Sequence, residues 1–276
     1  MTLPNFLIIG AQKSGTTWFG EILHQHPDIF VAPHEIHFFD KDYNFRKGLA
    51  WYEAHFRNAR RERAVGEKTP DYFWPNGRGT DGHQPDVHRL LHRTLPDARL
   101  VVILRDPVER AISAARHLVM DGWVSPFLSL DDLLAGPAAS IAEEHGVIDY
   151  GRYARHLDAY FELFRREQVL VCVYEEDVVQ DPQQGLRKVC DFLGVDATHE
   201  FRGLKKRRNE LRKSVPRLLI DRFVPIVRGQ TAIVDRLFPP ARYEASEATR
   251  DKLRELYAPE NERLYRALGR KPSGWR

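Results

Sequence analysis

Cysteine and methionine are nearly absent from this 276-residue chain, which has two of each. A disulfide framework is therefore excluded, and Cys172, set in the apolar run Val169–Val173, reads as a buried thiol of a reducing compartment. Long apolar runs are missing too. No stretch approaches the roughly 20 residues that a membrane helix needs, and the chain enters Phe6–Ile9 with no basic and then apolar leader. A soluble, cytoplasmic protein without a membrane span is the expectation. Nor does one charge dominate: 42 Lys and Arg face 39 Asp and Glu, for a net +3, so no global field marks a nucleic-acid binder. Repeats and low-complexity tracts are absent as well. With 42% hydrophobic residues one sizeable core can be buried. A single domain over residues 1–276 is expected, with its core at about 5–195 and a basic segment and helical tail at about 196–276.

What is present is a grammar of short apolar runs, each followed by helical periodicity. Phe6–Ile9 is continuously apolar, as a strand covered on both faces must be, and Gly10 ends it. Beyond the following loop, Trp18, Phe19, Ile22 and Leu23 recur at helical spacing. Arg99–Leu104 leads into a helical Val108–Val119, and Val169–Tyr174 into Pro182–Leu193. Ala64–Glu67, ahead of a Lys-Thr-Pro turn signal, adds a short strand. The pattern predicts an α/β fold: a central parallel β-sheet flanked by helices in three layers, with a P-loop-like strand-loop-helix. Pro27–Gly82 reads as a long loop-rich insertion, the kind of segment that carries function. Ser246–Leu268 reads as a C-terminal helix broken or restarted near Pro259.

Gly10-Ala11-Gln12-Lys13-Ser14-Gly15-Thr16-Thr17 lies between the first strand and its helix. Backbone N–H groups converge there and the helix dipole favours an anion, so a phosphate-like group is expected. A Walker A loop carries its lysine directly after the second glycine. Here Thr16 has that place and Lys13 sits inside the loop, so the triphosphatase reading fails. An internal cation suits a ligand whose 5′ phosphate the loop wraps and whose reacting bond lies beside Lys13. A terminal sulfuryl carries less charge than a γ-phosphoryl, so cations and hydroxyls can replace Mg²⁺ and no metal is expected. The plainer alternative is an ordinary strand-to-helix turn with an exposed lysine. A second motif weighs against it. The strand at Leu100–Leu104 ends in Arg105-Asp106-Pro107, and Ser113 follows eight residues on (113 − 105 = 8). A guanidinium and a hydroxyl so placed can grip one phosphate beside the sheet. Taken alone, Arg105 equally fits a salt bridge to Asp106 or Glu109.

Phe6–Thr17 and Val102–Ser113 resemble the 5′-phosphosulfate loop and the 3′-phosphate motif of sulfotransferases that use 3′-phosphoadenosine 5′-phosphosulfate (PAPS). His34–Asp40, Gly48–Tyr52 and Glu67–Phe73, with the closing Leu268-Gly269 and Trp275, are similar to the heparan sulfate O- and N-sulfotransferase branch, here in a soluble form of bacterial type. The likeness is good over about Phe6–Leu193 and poor beyond. It implies that Lys13, Ser14, Gly15, Thr16 and Thr17 hold the 5′ phosphosulfate and that Arg105 and Ser113 hold the 3′ phosphate. It also implies that Lys68 approaches the sulfuryl or its leaving oxygen. Glu35 matches the family's catalytic carboxylate, the base for the acceptor hydroxyl, with His37 and, ranked after it, Asp40 near the acceptor. The implied product is adenosine 3′,5′-bisphosphate (PAP). The implied partner is a hydroxyl of a carbohydrate, lipid or small metabolite.

The chain departs from that branch late on. A Lys-Gly loop beside a disulfide is missing, and Lys205–Lys213, rich in Lys and Arg, stands in its stead. This cluster fits a lid over a phosphate or an anionic acceptor, and equally a solvated basic face. Trp51, Tyr52, Tyr72, Phe73 and Trp74 fit an acceptor wall or the core. Two other functions compete. One is a kinase-like phosphotransferase built on the same strand-loop-helix; the other is a polyanion-binding module working through Lys205–Lys213.

Overall fold

Alternating apolar residues along each strand send their side chains to two opposite helical layers, and this sets the architecture. The structure, a computed structural model, describes residues 3–75, 86–204, 213–223, 234–235, 237–239 and 241–275. Its strands are β1 (Phe6–Gly10), β2 (Ile29–Val31), β3 (Ala64–Lys68), β4 (Arg99–Leu104) and β5 (Val169–Val173), paired in parallel in the order β2-β3-β1-β4-β5. On one face Phe6, Ile8, Val101, Ile103 and Cys172 meet Phe19, Ile22 and Leu23 of α1 (Thr16–Leu23). Leu186, Val189, Cys190 and Leu193 join them from a second helix, Pro182–Leu193. The other face sends Leu7, Ile9, Leu100, Val102 and Leu104 against Phe39, Tyr72, Phe73, Tyr153 and Tyr160. Each fully buried Phe or Leu contributes about 1.5–3 kcal/mol, so the loop that follows β1 is anchored on both sides.

The intervening stretch holds α2 (Asp42–Phe45) and α3 (Leu49–Glu53), and α4 (Val87–Thr94) follows. Then come α5 (Pro107–Met120), α6 (Leu130–Ala135), α7 (Ala139–Glu144) and α8 (Tyr153–Phe161), with Pro182–Leu193 as α9. Two C-terminal helices, α10 (Val215–Phe223) and α11 (Glu247–Leu268), complete the described elements. Asp106-Pro107 starts α5 by the expected rules: the Asp106 carboxylate accepts from the N–H groups of Val108 and Glu109, and proline occupies the first turn. A satellite core joins α5, α6, α7 and α11 through Ile112, Leu118, Leu133, Ala142 and Leu253.

Four readings of the sequence are revised. The Pro27–Gly82 insertion contains the edge strand β2, held where His24 Nδ1 accepts from the Val31 N–H at 3.1 Å. The last strand stops at Val173, one residue short of Tyr174, where a π-helical turn Tyr174–Gln180 begins. The C-terminal helix runs unbroken through Pro259. Its Pro259 and Glu255 lie on the exposed side, where water serves the carbonyl that loses its partner. Within the basic cluster, Lys213 is buried: its ammonium donates to the Met120 carbonyl at 2.8 Å and pairs with Asp221 at 3.2 Å. It is neither lid nor solvated face; positions 205–212 lie outside the described residues. No helix among the described residues is long and apolar enough to cross a membrane.

Candidate active site

A cleft of about 1330 Å³ opens above the C-terminal ends of β1, β3 and β4, where ligands gather in parallel α/β sheets. The Gly10–Thr17 loop forms its floor. Ala11 N–H donates to the Ile103 carbonyl at 2.9 Å, which ties the loop to β4. Lys13 and Gly15 adopt positive φ, 67° and 79°, and a side chain on Gly15 would also press against the Tyr174 ring at 3.0 Å. No side chain caps α1, so its leading N–H groups are left to the cleft. Ser14 is fully buried, yet its hydroxyl has no hydrogen-bond partner, and neither has the indole N–H of Trp18 in the cleft wall. Such orphaned buried donors call for an oxygen-rich ligand. Burial lowers the Lys13 ammonium below its usual pKa, opposed by the charges of Asp121 and Glu35 and reinforced by those of Arg105 and Arg110, and an anion bound here would counter that shift.

Arg105 leaves the end of β4 toward this loop. Its Nη1 donates to the Lys13 carbonyl at 3.1 Å, and the guanidinium lies 5.1 Å from the Tyr174 ring centroid. The salt bridges expected of an isolated Arg105 are not formed: Asp106 caps α5 and Glu109 pairs with Arg250. Ser113 lines the same cleft two turns along α5, followed one turn later by His117.

The opposite wall is held by a buried carboxylate. Glu67 accepts from the hydroxyls of Tyr52 at 2.5 Å, Thr69 at 2.7 Å and Tyr72 at 3.1 Å. The latter two pass the constraint on: Thr69 Oγ1 accepts from the N–H of Ile36 at 3.2 Å and of His37 at 3.4 Å, and the Tyr72 hydroxyl from that of Phe38 at 2.9 Å. Asn44 donates to the carbonyls of Ile36 and His37. This grip holds His37 in the left-handed region, φ 53°, and aims Glu35 into the cleft. Tyr52, Tyr72 and Phe73 are wholly buried and Trp74 nearly so; of the two readings of these aromatics, the core is observed, with half-buried Trp51 stacked on Phe38.

Glu35 sits between two cations, Lys68 Nζ at 3.5 Å and His37 Nε2 at 3.5 Å. Burial opposes its ionisation, but hydrogen bonding to His37 and the Lys68 charge prevail and lower its pKa. Lys68 lies buried along α1, its stem passing where a Cβ on Gly20 would meet it at 3.1 Å. Burial works against the His37 imidazolium, yet bonds to Asp40 and Glu35 outweigh it and raise its pKa to about 11. His37, Asp40 and Asp71 offer three ligand atoms within 4.8 Å of one another. A metal there would have to displace a proton held to about pH 11.

The structure thus gathers Lys13, Gly15, Thr16, Thr17, Glu35, His37, Arg105 and Ser113 around one cleft. Ser14 lies buried within the loop, and Lys68 reaches the cleft through Glu35. Asp40 lies behind His37, fully buried, with Oδ2 2.8 Å from Nδ1, a supporting position. Several lining residues escaped the sequence reading, among them His117, Asp71 and Tyr174. His117, whose pKa is lowered by burial and then by the Lys13 charge, was signalled only by its i+4 spacing from Ser113 (117 − 113 = 4). Asp71 sits inside the Glu67–Phe73 motif, and Tyr174 opens the π-helical turn, which no local signal marks.

Comparison with known proteins gives a consistent picture. A sulfotransferase domain model matches residues 3–217. Heparan sulfate glucosamine 3-O-sulfotransferase 3B1 of Mus musculus is 31% identical over 99% of this chain, which spans 65% of that protein's length. The human heparan sulfate glucosamine 3-O-sulfotransferase 6 is also 31% identical, with 73% of its length covered. Among solved structures, a sulfotransferase from Alicyclobacillus acidocaldarius superposes with a TM-score of 0.71 at 29% identity, covering 100% of this chain and 99% of the other.

Proposed function

The chain belongs to the sulfotransferase family, and we propose that it carries the sulfuryl group of PAPS to a hydroxyl acceptor by in-line transfer at the cleft between Lys13 and Glu35. One observation supports this most: two cationic anion-binding points, the Lys13 loop and Arg105 with Ser113, share a cleft with a carboxylate held between Lys68 and His37. The buried, unpartnered Ser14 hydroxyl and Trp18 N–H fit a ligand rich in oxygen acceptors.

In this reading the loop N–H groups and the hydroxyls of Ser14, Thr16 and Thr17 hold the 5′ phosphosulfate, while Arg105 and Ser113 hold the 3′ phosphate. Lys13 neutralises charge on the leaving oxygen as the S–O bond lengthens. Glu35 receives the acceptor's proton; with its pKa lowered it is ionised at neutral pH and takes the proton late, once attack has acidified the hydroxyl. His37 stays an imidazolium, fixing the Glu35 carboxylate through Nε2 and anchored on Asp40 through Nδ1. Lys68 holds the other carboxylate oxygen and faces the departing sulfuryl. Carbohydrates, lipids and small metabolites all present suitable hydroxyls, and no residue is assigned to a metal.

Purified protein offered PAPS or ATP, each with and without Mg²⁺, tests the proposal. PAPS-dependent sulfation unaffected by chelator is expected. Metal-dependent ATP turnover without PAPS binding would establish the phosphotransferase instead, and salt-sensitive polyanion binding that survives Lys13→Ala would establish the binding module.

A further inference from the structure

Among the described residues lining the cleft, Lys13 and Arg105 stand on the donor side together with Asp181, whereas Glu35 and Asp71 stand with His37 on the acceptor side. Around His37, three carboxylates meet one imidazolium: Glu35 at Nε2, and Asp40 and Asp71 both on the Nδ1 side. A ring nitrogen donates one proton, and Nδ1 gives it to Asp40 at 2.8 Å; Asp71 Oδ2 remains 3.9 Å away, beyond hydrogen-bonding reach.

Asp71 is held by its other oxygen. Oδ1 accepts from the Tyr150 hydroxyl at 2.9 Å and from Gln12 Nε2 at 3.4 Å. Its backbone is fixed as well, in the 3₁₀ turn Pro70–Phe73 that follows β3 and Lys68. A carboxylate clamped through one oxygen, lining the cleft beside Glu35, presents the second to whatever approaches Glu35. On this basis, and resting on the acceptor reading of the cleft, we infer that Asp71 is an acceptor-recognition residue: its Oδ2 takes a hydrogen bond from a hydroxyl or protonated amine neighbouring the reacting hydroxyl. The acceptor class that follows is a non-anionic polyol or amino-polyol. A sulfate or carboxylate brought to the same place meets a like charge in a partly desolvated cleft, and such juxtapositions are strongly unfavourable. Asp71 therefore selects against a sulfated glycan such as heparan sulfate.

The test uses two probes of equal length, a glucosamine oligosaccharide with free amines and an N-sulfated heparan oligosaccharide, titrated into the PAP-loaded enzyme. Wild type is expected to bind the glucosamine oligomer at least about tenfold more tightly, the scale of one hydrogen bond to a charged group. Asp71→Asn should erase most of that preference, chiefly by weakening the amine-bearing probe, while Asp71→Glu retains it and PAP affinity stays constant in both. A wild-type preference for the N-sulfated probe, or equal loss of both probes in Asp71→Asn, overturns the inference. Transfer of label from PAPS is scored separately on the same samples. Selective binding without transfer counts against the sulfotransfer reading and upholds Asp71 as a recognition residue.

Discussion

Replacing Thr69 with valine removes one hydroxyl and almost no volume, and the structure sets what that hydroxyl does. It donates to buried Glu67 at 2.7 Å and accepts from the Ile36 and His37 amides at 3.2 and 3.4 Å. The isostere therefore strands the Ile36 N–H in a buried setting and strips Glu67 of one of three donors. A buried unsatisfied group costs about 1–3 kcal/mol, and the long His37 contact adds less, so Thr69→Val should destabilise the protein by about 2–4 kcal/mol in urea unfolding. The same loop carries Glu35 and His37, so turnover should fall about tenfold or more, since small misplacements of reacting groups are costly. PAP affinity, which depends on Lys13 and Arg105 across the cleft, should stay the same. Thr69→Ser keeps the hydroxyl and should retain activity. A valine variant matching wild type in both stability and turnover would refute the view that Glu67 organises the catalytic wall.

Glu35→Gln should leave PAP binding near normal and lower turnover about a hundredfold or more, the usual scale for a lost general base; near-wild-type turnover would remove Glu35 from that role. Lys13→Ala and Arg105→Ala should each weaken PAP binding at least about tenfold by calorimetry, as charge-assisted contacts are lost. Glu67 carries a prediction about pH. Burial raises its pKa from 4.5 to about 6, so its contribution to stability is complete below about pH 4.5 and is lost as pH rises through about 6, a swing of about 2 kcal/mol. Glu67→Gln should flatten the wild-type stability profile across that window, and an unchanged profile would show that the carboxyl is not the titrating group.

Three of the legible strands, β1, β4 and β5, are runs of at least four apolar residues, because burial on both faces leaves no polar positions, and β3 was legible from the Lys-Thr-Pro turn signal that follows it. β2 was hidden: three residues after a proline carry no periodicity, and the strand exists only because β3 lies beside it, Ile29 opposite Ala64. The nucleotide-side residues were legible because loop and strand end lie next to each other in the chain. The Glu67 network was not, since its partners come from Tyr52, Thr69 and Tyr72, and its effect falls on Ile36 and Phe38. Asp71 and His117 were invisible for a related reason, because an isolated Asp or His gains meaning only from what folds against it. Pro259 misled in the opposite direction, its missing hydrogen bond being harmless on a solvated helix face.

The most direct measurement is a crystal structure with PAP bound. The 5′ phosphate is expected in the cradle of Lys13–Thr17 and the 3′ phosphate between Arg105 and Ser113, with open space beyond the 5′ phosphate leading to Glu35. Adenosine bisphosphate seated with its 5′ phosphate away from the loop, or with Glu35 screened from it by protein, would rule out sulfuryl transfer between Lys13 and Glu35.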